Sequence, residues 1–208
     1  MSPRPYKIEK RRAASDETRA RVLDATRQLI MASATPPSIE AVAAKAGVAR
    51  MTVYYQFGSK VGLLEALFDG LGGRHFQTEL PRIMSQAEPL QALDDLIDVF
   101  FRFWSAERVV IRRIRSMAAL DPAFEESIHG RDERRRQLLR IVLERVAEKY
   151  GKPIGDAFEK AVDILYAVTS FATFDTLGGE TGGGEEPALV VQRLTRLALG
   201  LGGPSDGR

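Results

Sequence analysis

The sequence predicts an all-α chain. Apolar residues recur at helical spacing along it, and no stretch alternates apolar and polar residues as a half-buried strand does. Gly and Pro interrupt the periodic runs at helix-length intervals, and capping residues stand where the runs begin. About nine helices are expected on that basis.

Taken in order, Met1 to Ala14 carries Arg4, Lys7, Lys10, Arg11 and Arg12 beside two prolines and reads as a flexible basic arm. The first helix is expected to start at Ser15 or Asp16, either a good cap, and to reach about Ser33 with Val22, Ala25, Leu29 and Ala32 on one face. Thr35-Pro36-Pro37 ends it. Ser38 caps a short second helix that Gly47 stops after Ala46. A third runs from near Ala49 to before Gly58, and Ser59 caps a fourth that reaches about Leu80, before Pro81.

Leu90, Leu93, Ile97, Phe100 and Trp104 form one apolar stripe of the next helix. Val109 to Leu120 makes another, and Asp121-Pro122 starts one that runs toward Tyr150, with Gly130 a candidate break. A single helix is expected over 154–177, then a flexible connection at GGETGGG, then a last helix over about 186–201.

Composition narrows the function classes. There is no cysteine, so disulfides, thiolate metal sites and a cysteine nucleophile are all excluded. No apolar run approaches a membrane span and the N-terminus lacks an apolar signal core, so a cytoplasmic protein is expected, without a membrane partner. His75 and His129 stand far apart, without metal-ligand spacing, so no metal site is expected. The glycine run lacks the Gly-Lys-Ser/Thr ending of a phosphate loop, and no nucleophile is paired with a base, so no catalytic residues are assigned. Asp94, Asp95 and Asp98 read as a solvated helix face, and Arg112, Arg113, Arg115 and Arg134 to Arg136 as partners in surface ion pairs.

Charge is unevenly distributed. Residues 1–60 hold 11 Lys/Arg and 5 Asp/Glu, a balance of +6, and the remaining residues 19 and 23, a balance of −4. A basic N-terminal quarter suits a polyanion. Residues 38–55 add short helix, Gly turn, short helix, the spacing of a helix-turn-helix. Small Ala43 and Ala44 allow close helix crossing, and Ile39, Val42, Val48 and Val53 supply the buried contacts. Arg50, Met51, Thr52, Tyr54 and Tyr55 are left unburied at the front of the second of these helices, where donors and apolar tips suit base edges and thymine methyls.

TRARVLDATRQLI followed by SIEAVAAKAGVARMTVYYQFGSKVGLLEAL resembles the DNA-binding domain of the TetR family of transcriptional regulators, over about residues 16–68. The most specific feature is AGV, then Thr52, Tyr54, Tyr55, Phe57, Ser59 and Lys60 at fixed offsets. The resemblance implies a homodimer that reads palindromic double-stranded operator DNA and is released by a small-molecule effector, most simply as a repressor and with no cofactor. It divides the chain into the arm (1–14), a DNA-binding domain (15–60) and a ligand-binding and dimerisation domain (61–208). Carried over by position, Ser38, Tyr55 and Lys60 contact phosphate and backbone, and Arg50, Thr52 and Tyr54 reach bases or nearby phosphates. Arg11 and Arg12 of the arm join them. Ala49 stands where a hydroxyl is usual, and Val61-Gly62 replaces an acidic, helix-favouring pair, weakening the start of the fourth helix. Phe57 reads as core, bracing the hinge between the domains. An enzyme on a helical scaffold and a protein-interaction adaptor are the rival readings.

Two further sites are expected. Phe100, Phe101, Phe103 and Trp104 are denser than one stripe requires, and Phe100, Phe103 and Trp104 with Met117, Phe171, His75 and His129 form a candidate pocket for an apolar or aromatic effector. Phe158, Val162, Leu165 and Thr169 on one face, and Ile164, Val168 and Phe171 on another, make a two-sided apolar helix. With Val190, Leu194, Leu197 and Leu201 it is expected to form a dimeric four-helix contact.

Overall fold

The computed structural model describes residues 4–33, 35–178 and 186–201. The all-α class is observed: the described residues form eleven helices and no strand. These are α1 (Arg4–Ala32), α2 (Ile39–Ala46), α3 (Arg50–Phe57), α4 (Lys60–Phe76), α5 (Glu79–Met84), α6 (Pro89–Ala106), α7 (Arg108–Ala118), α8 (Pro122–Tyr150), α9 (Asp156–Val168), α10 (Phe171–Leu177) and α11 (Pro187–Ala198). The chain divides into two compact units, Met1–Leu71 with Val109–Ser127, and Gly72–Arg108 with Ile128–Arg208.

Four boundaries differ from expectation. Helix α1 begins at Arg4 and takes in most of the stretch read as a flexible arm, so Ser15 lies inside a helix and does not cap one. Helix α4 stops at Phe76, and Pro81 sits in the first turn of α5, where its missing N–H costs no helical bond. Gly130 does not divide α8. The helix expected over 154–177 breaks at Thr169-Ser170: the Ser170 hydroxyl caps α10 by accepting from the Thr173 N–H at 3.1 Å, and the buried Thr169 hydroxyl donates back to the Leu165 carbonyl at 2.7 Å. The glycine run, from 179 onward, lies outside the described residues.

In the first unit, α1 packs on α2 and α2 on α3. Val22, Ala25, Ile39, Val42, Ala43, Ala46, Val53 and Leu63 close one apolar cluster, with Leu29, Val48, Tyr54 and Phe57 partly buried against it. Ala44 is exposed and takes no part in the helix crossing, and Ala32 is also exposed, whereas Ile30 on another side of α1 is fully buried. Helix α7, which belongs to this unit, has Val110, Ile111, Ile114 and Met117 buried, and Arg113 donates to the Ile30 carbonyl near the C-terminal end of α1.

In the second unit, α6 contacts α5, α10 and α11, and α9 contacts α10 and α11. The acidic stretch on α6 is not a freely solvated face. Asp94 pairs with Arg196, Asp98 accepts from Gln192 at 2.8 Å, and Asp95 accepts from Gln86 and Gln91 at 2.7 Å each. Arg135 is likewise no surface residue; it is buried, donating to the Tyr166 carbonyl at 2.8 Å and the Thr169 hydroxyl at 2.6 Å. Among the described residues no helix is long and apolar enough to cross a membrane, and no three His, Cys, Asp or Glu side chains are grouped to hold a metal ion.

Candidate nucleic-acid interface

Ser38 is the cap of α2: its backbone is extended and its hydroxyl oxygen accepts from the Ala41 N–H at 3.1 Å. The helix closes at Gly47, whose φ of 65° puts it in the left-handed region. The Gly47 N–H then reaches the Ala44 carbonyl at 3.2 Å and the Val48 N–H reaches Ala43 at 3.0 Å. That reversal turns the chain into α3 within three residues, which is the helix-turn-helix connection. Ala49 caps α3 by its backbone alone, with no side-chain hydrogen bond, as its missing hydroxyl requires.

Helix α3 buries Val53 and turns the opposite side to solvent. Met51 is 71% exposed and Tyr55 89% exposed, values that a helix serving only as packing does not need. Arg50 is exposed beside them, and Thr52 and Tyr54 are half-buried. Tyr54 leans into the cluster with Val53 while Tyr55 stands free, so the adjacent tyrosines face different ways.

The charge of Arg50 is held in place. Its guanidinium pairs with Glu40 of α2 at 2.8 Å, donates to the Tyr54 hydroxyl at 3.2 Å and lies 5.3 Å from the Tyr54 ring centre. The Glu40 carboxyl is kept below its ordinary range by the backbone N–H of its own residue, then by Arg50 and the Ser38 hydroxyl, against some desolvation. Sequence reasoning missed Glu40. An acid in the first turn of α2 and a base at the start of α3 were both visible, but only the helix crossing brings them together.

The far end of α3 is tied to α1. Arg19 donates to the Gln56 carbonyl at 3.0 Å and stacks 4.5 Å from the Phe57 ring centre, and Gln56 donates to the Ser15 hydroxyl at 2.8 Å. Ser59 then caps α4 by accepting from the Gly62 N–H at 2.9 Å. Here Gly62 is required by space: a Cβ on it would lie 2.2 Å from the Phe57 carbonyl oxygen. Lys60 opens α4, exposed and without an ion pair among the described residues. Lys10, Arg11 and Arg12 are exposed on α1.

Residues 22–67 match the family model described as "Bacterial regulatory proteins, tetR family". Solved structures share the fold over nearly the whole chain. A TetR-like transcriptional regulator from Rhodococcus sp. RHA1 is 22% identical with a TM-score of 0.62, covering 86% of this chain and 93% of its own. A TetR transcription regulator from Haloarcula marismortui gives 18%, 0.66, 89% and 97% for the same quantities. Residues 22–67 thus carry the tetR-family domain, and the chain as a whole shares the fold of TetR-family regulators. The transcriptional regulator FadR from Bacillus subtilis, solved in complex with stearoyl-CoA, is 16% identical with a TM-score of 0.67, covering 88% of this chain and 99% of its own. No curated protein matches.

In the second unit, the aromatic residues that stand out in the sequence pack on one another. Phe103 lies 4.9 Å from Trp104 and 5.3 Å from His75, and Trp104 lies 5.7 Å from Phe171, ring centre to ring centre. Phe100, Phe103, Trp104 and Phe171 are buried, and the indole N–H donates to the Thr169 carbonyl at 3.3 Å. Met117 is buried in the first unit, and His129 is exposed on α8. A cleft of about 490 Å³ lies among α5, α6, α10 and the start of α11, lined by Phe101 and Phe174 rather than by that cluster; His75 borders a second cleft of about 380 Å³.

The expected dimer residues separate into two sets. Val162 and Leu165 are fully buried in the unit's own interior, and Phe158 is half-buried beneath the Arg140 guanidinium. Leu194 and Leu197 of α11 and Ile164 of α9 are exposed. Helices α9 and α11, which carry these three, are in contact.

Proposed function

We propose that this protein is a TetR-family repressor that binds a near-palindromic operator as a homodimer and leaves it when a small molecule with an apolar or aromatic body binds. The exposed front of α3 carries the reading: Arg50, Met51 and Tyr55 lie together beside the capped start of α2. Arg50 is suited to the acceptors of a guanine edge and the Met51 tip to a thymine methyl, Thr52 and Tyr54 reach bases or nearby phosphates, and Ser38, Tyr55 and Lys60 hold phosphates and backbone. The free N–H groups at the start of α2 favour a further phosphate.

The uncovered apolar residues of α9 and α11 support a second copy as partner, and two heads on one dimer read two half-sites. The bound stearoyl-CoA of the Bacillus subtilis FadR structure supports an effector site in the second unit. The functional division we adopt has a DNA-binding domain over 15–60 and an effector and dimerisation domain over 61–208, with the protein acting in the cytoplasm beside its DNA. Selection of fragments from a random DNA pool by the purified protein tests the reading. An inverted repeat is expected among the survivors; recovery of unrelated sequences would overturn it.

A further inference from the structure

The 490 Å³ cleft carries a charge arrangement that the aromatic cluster lacks. Its apolar wall is Phe101 and Phe174, packed edge to face with centres 5.5 Å apart, continued by Pro187 and Leu189. Both lining arginines are already engaged. Arg82 bonds Glu79 at 3.1 Å and Asp95 at 3.2 Å, and Arg102 reaches Glu79 at 3.4 Å.

Asp98 is different. It is partly buried in the same wall, yet among the described residues its hydrogen bond comes from the neutral Gln192 amide at 2.8 Å and no cation lies within ion-pair distance. Burial pushes its carboxyl above the ordinary value; Arg102 opposes this from a distance, and Asp95, Glu186 and Asp94 reinforce it. Glu186 stands at the rim, without an ion pair among the described residues. A carboxylate that loses water without gaining a counter-charge is costly, and an incoming cation removes that cost. Aromatic walls favour a diffuse organic cation and offer too few oxygens for a hard metal ion.

We propose that this cleft binds an organic cation with an aromatic or alkyl body, its charge on Asp98 and its body against Phe101 and Phe174. Taking that cation as the effector rests on the release reading above; the binding itself does not.

The test is calorimetric titration of the full chain, without DNA, using tetraphenylphosphonium and its anionic counterpart of the same shape, tetraphenylborate. Saturable binding of the phosphonium and none of the borate is expected. Asp98→Asn, whose side-chain carbonyl can still accept from Gln192, should weaken the phosphonium at least tenfold with helicity unchanged. The surface change Glu186→Gln should weaken it less. Equal binding of both ions, or phosphonium affinity unaltered in Asp98→Asn, overturns the proposal. With operator DNA added, binding without release would uphold the site and overturn only its role as the effector site.

Discussion

Arg50 at the start of α3 is ion-paired at 2.8 Å with Glu40 of α2, across the turn that joins the two helices. The pair restricts a guanidinium that would otherwise sample many rotamers, and it places an acid beside the surface proposed to meet phosphate. Arg50→Ala is expected to lose roughly tenfold to a hundredfold in operator affinity and to relax preference at one base pair. Glu40→Gln should raise affinity for random DNA while narrowing the ratio of specific to random binding. Fluorescence anisotropy on both DNAs measures this; equal losses on both for Arg50→Ala would remove its base-reading role.

Lys10, Arg11 and Arg12 are exposed on α1. Each phosphate they neutralise contributes about 0.9 to the slope of log affinity against log salt. Replacing all three with Ala should therefore flatten that slope by up to about 2.7. An unchanged slope would mean that this end of α1 stays off the DNA.

Gly62 offers a test of sign. Gly to Ala inside a helix ordinarily stabilises by up to about 1 kcal/mol. Here the new Cβ would meet the Phe57 carbonyl at 2.2 Å, so Gly62→Ala should destabilise by about 1–3 kcal/mol and shift the end of α3. Thermal unfolding decides it, and a raised melting temperature would refute the close approach.

The proposed dimer face predicts opposite outcomes for two leucines. Leu197 is 57% exposed, so Leu197→Arg should leave helicity intact while giving monomers that lose operator binding. Leu165 is 0% exposed, so Leu165→Arg should unfold the unit by burying an unpaired charge. Sedimentation and circular dichroism separate the two cases, and a monomeric wild type at micromolar concentration would exclude the dimer.

Glu88 caps α6 and is gripped by Lys149 and by the Tyr150 hydroxyl, which donates at 2.7 Å. Lys149 first, then Tyr150, lowers its carboxyl pKa from 4.5 to about 2. A depressed folded-state pKa means that the contribution is complete above pH 4.5 and is lost as the pH falls through about 2. Solvent exposure keeps the effect small. Glu88→Gln should lower the melting temperature at neutral pH and flatten its decline between those two values; parallel curves would contradict the linkage.

The sequence by itself determined the all-α class, the helix-turn-helix and its exposed Arg50, Met51 and Tyr55, because these depend on local spacing, caps and the Gly47 turn. Tertiary structure alone decided which side of each amphipathic helix turns inward. Helix α9 is apolar on two sides, and periodicity could not tell that Val162 and Leu165 serve its own interior while Ile164 remains uncovered. The sequence shows Phe100, Phe101, Phe103 and Trp104 as one dense aromatic run, and only the packing of α10, which brings Phe174 against Phe101, decides that Phe101 is the one that borders the cleft. Gly62 looked like a weak helix start and is a close approach, since the Phe57 carbonyl it faces comes from the preceding helix. The Glu40–Arg50 pair likewise depends on a helix crossing, and contacts of that kind between elements leave no period in a single chain's sequence.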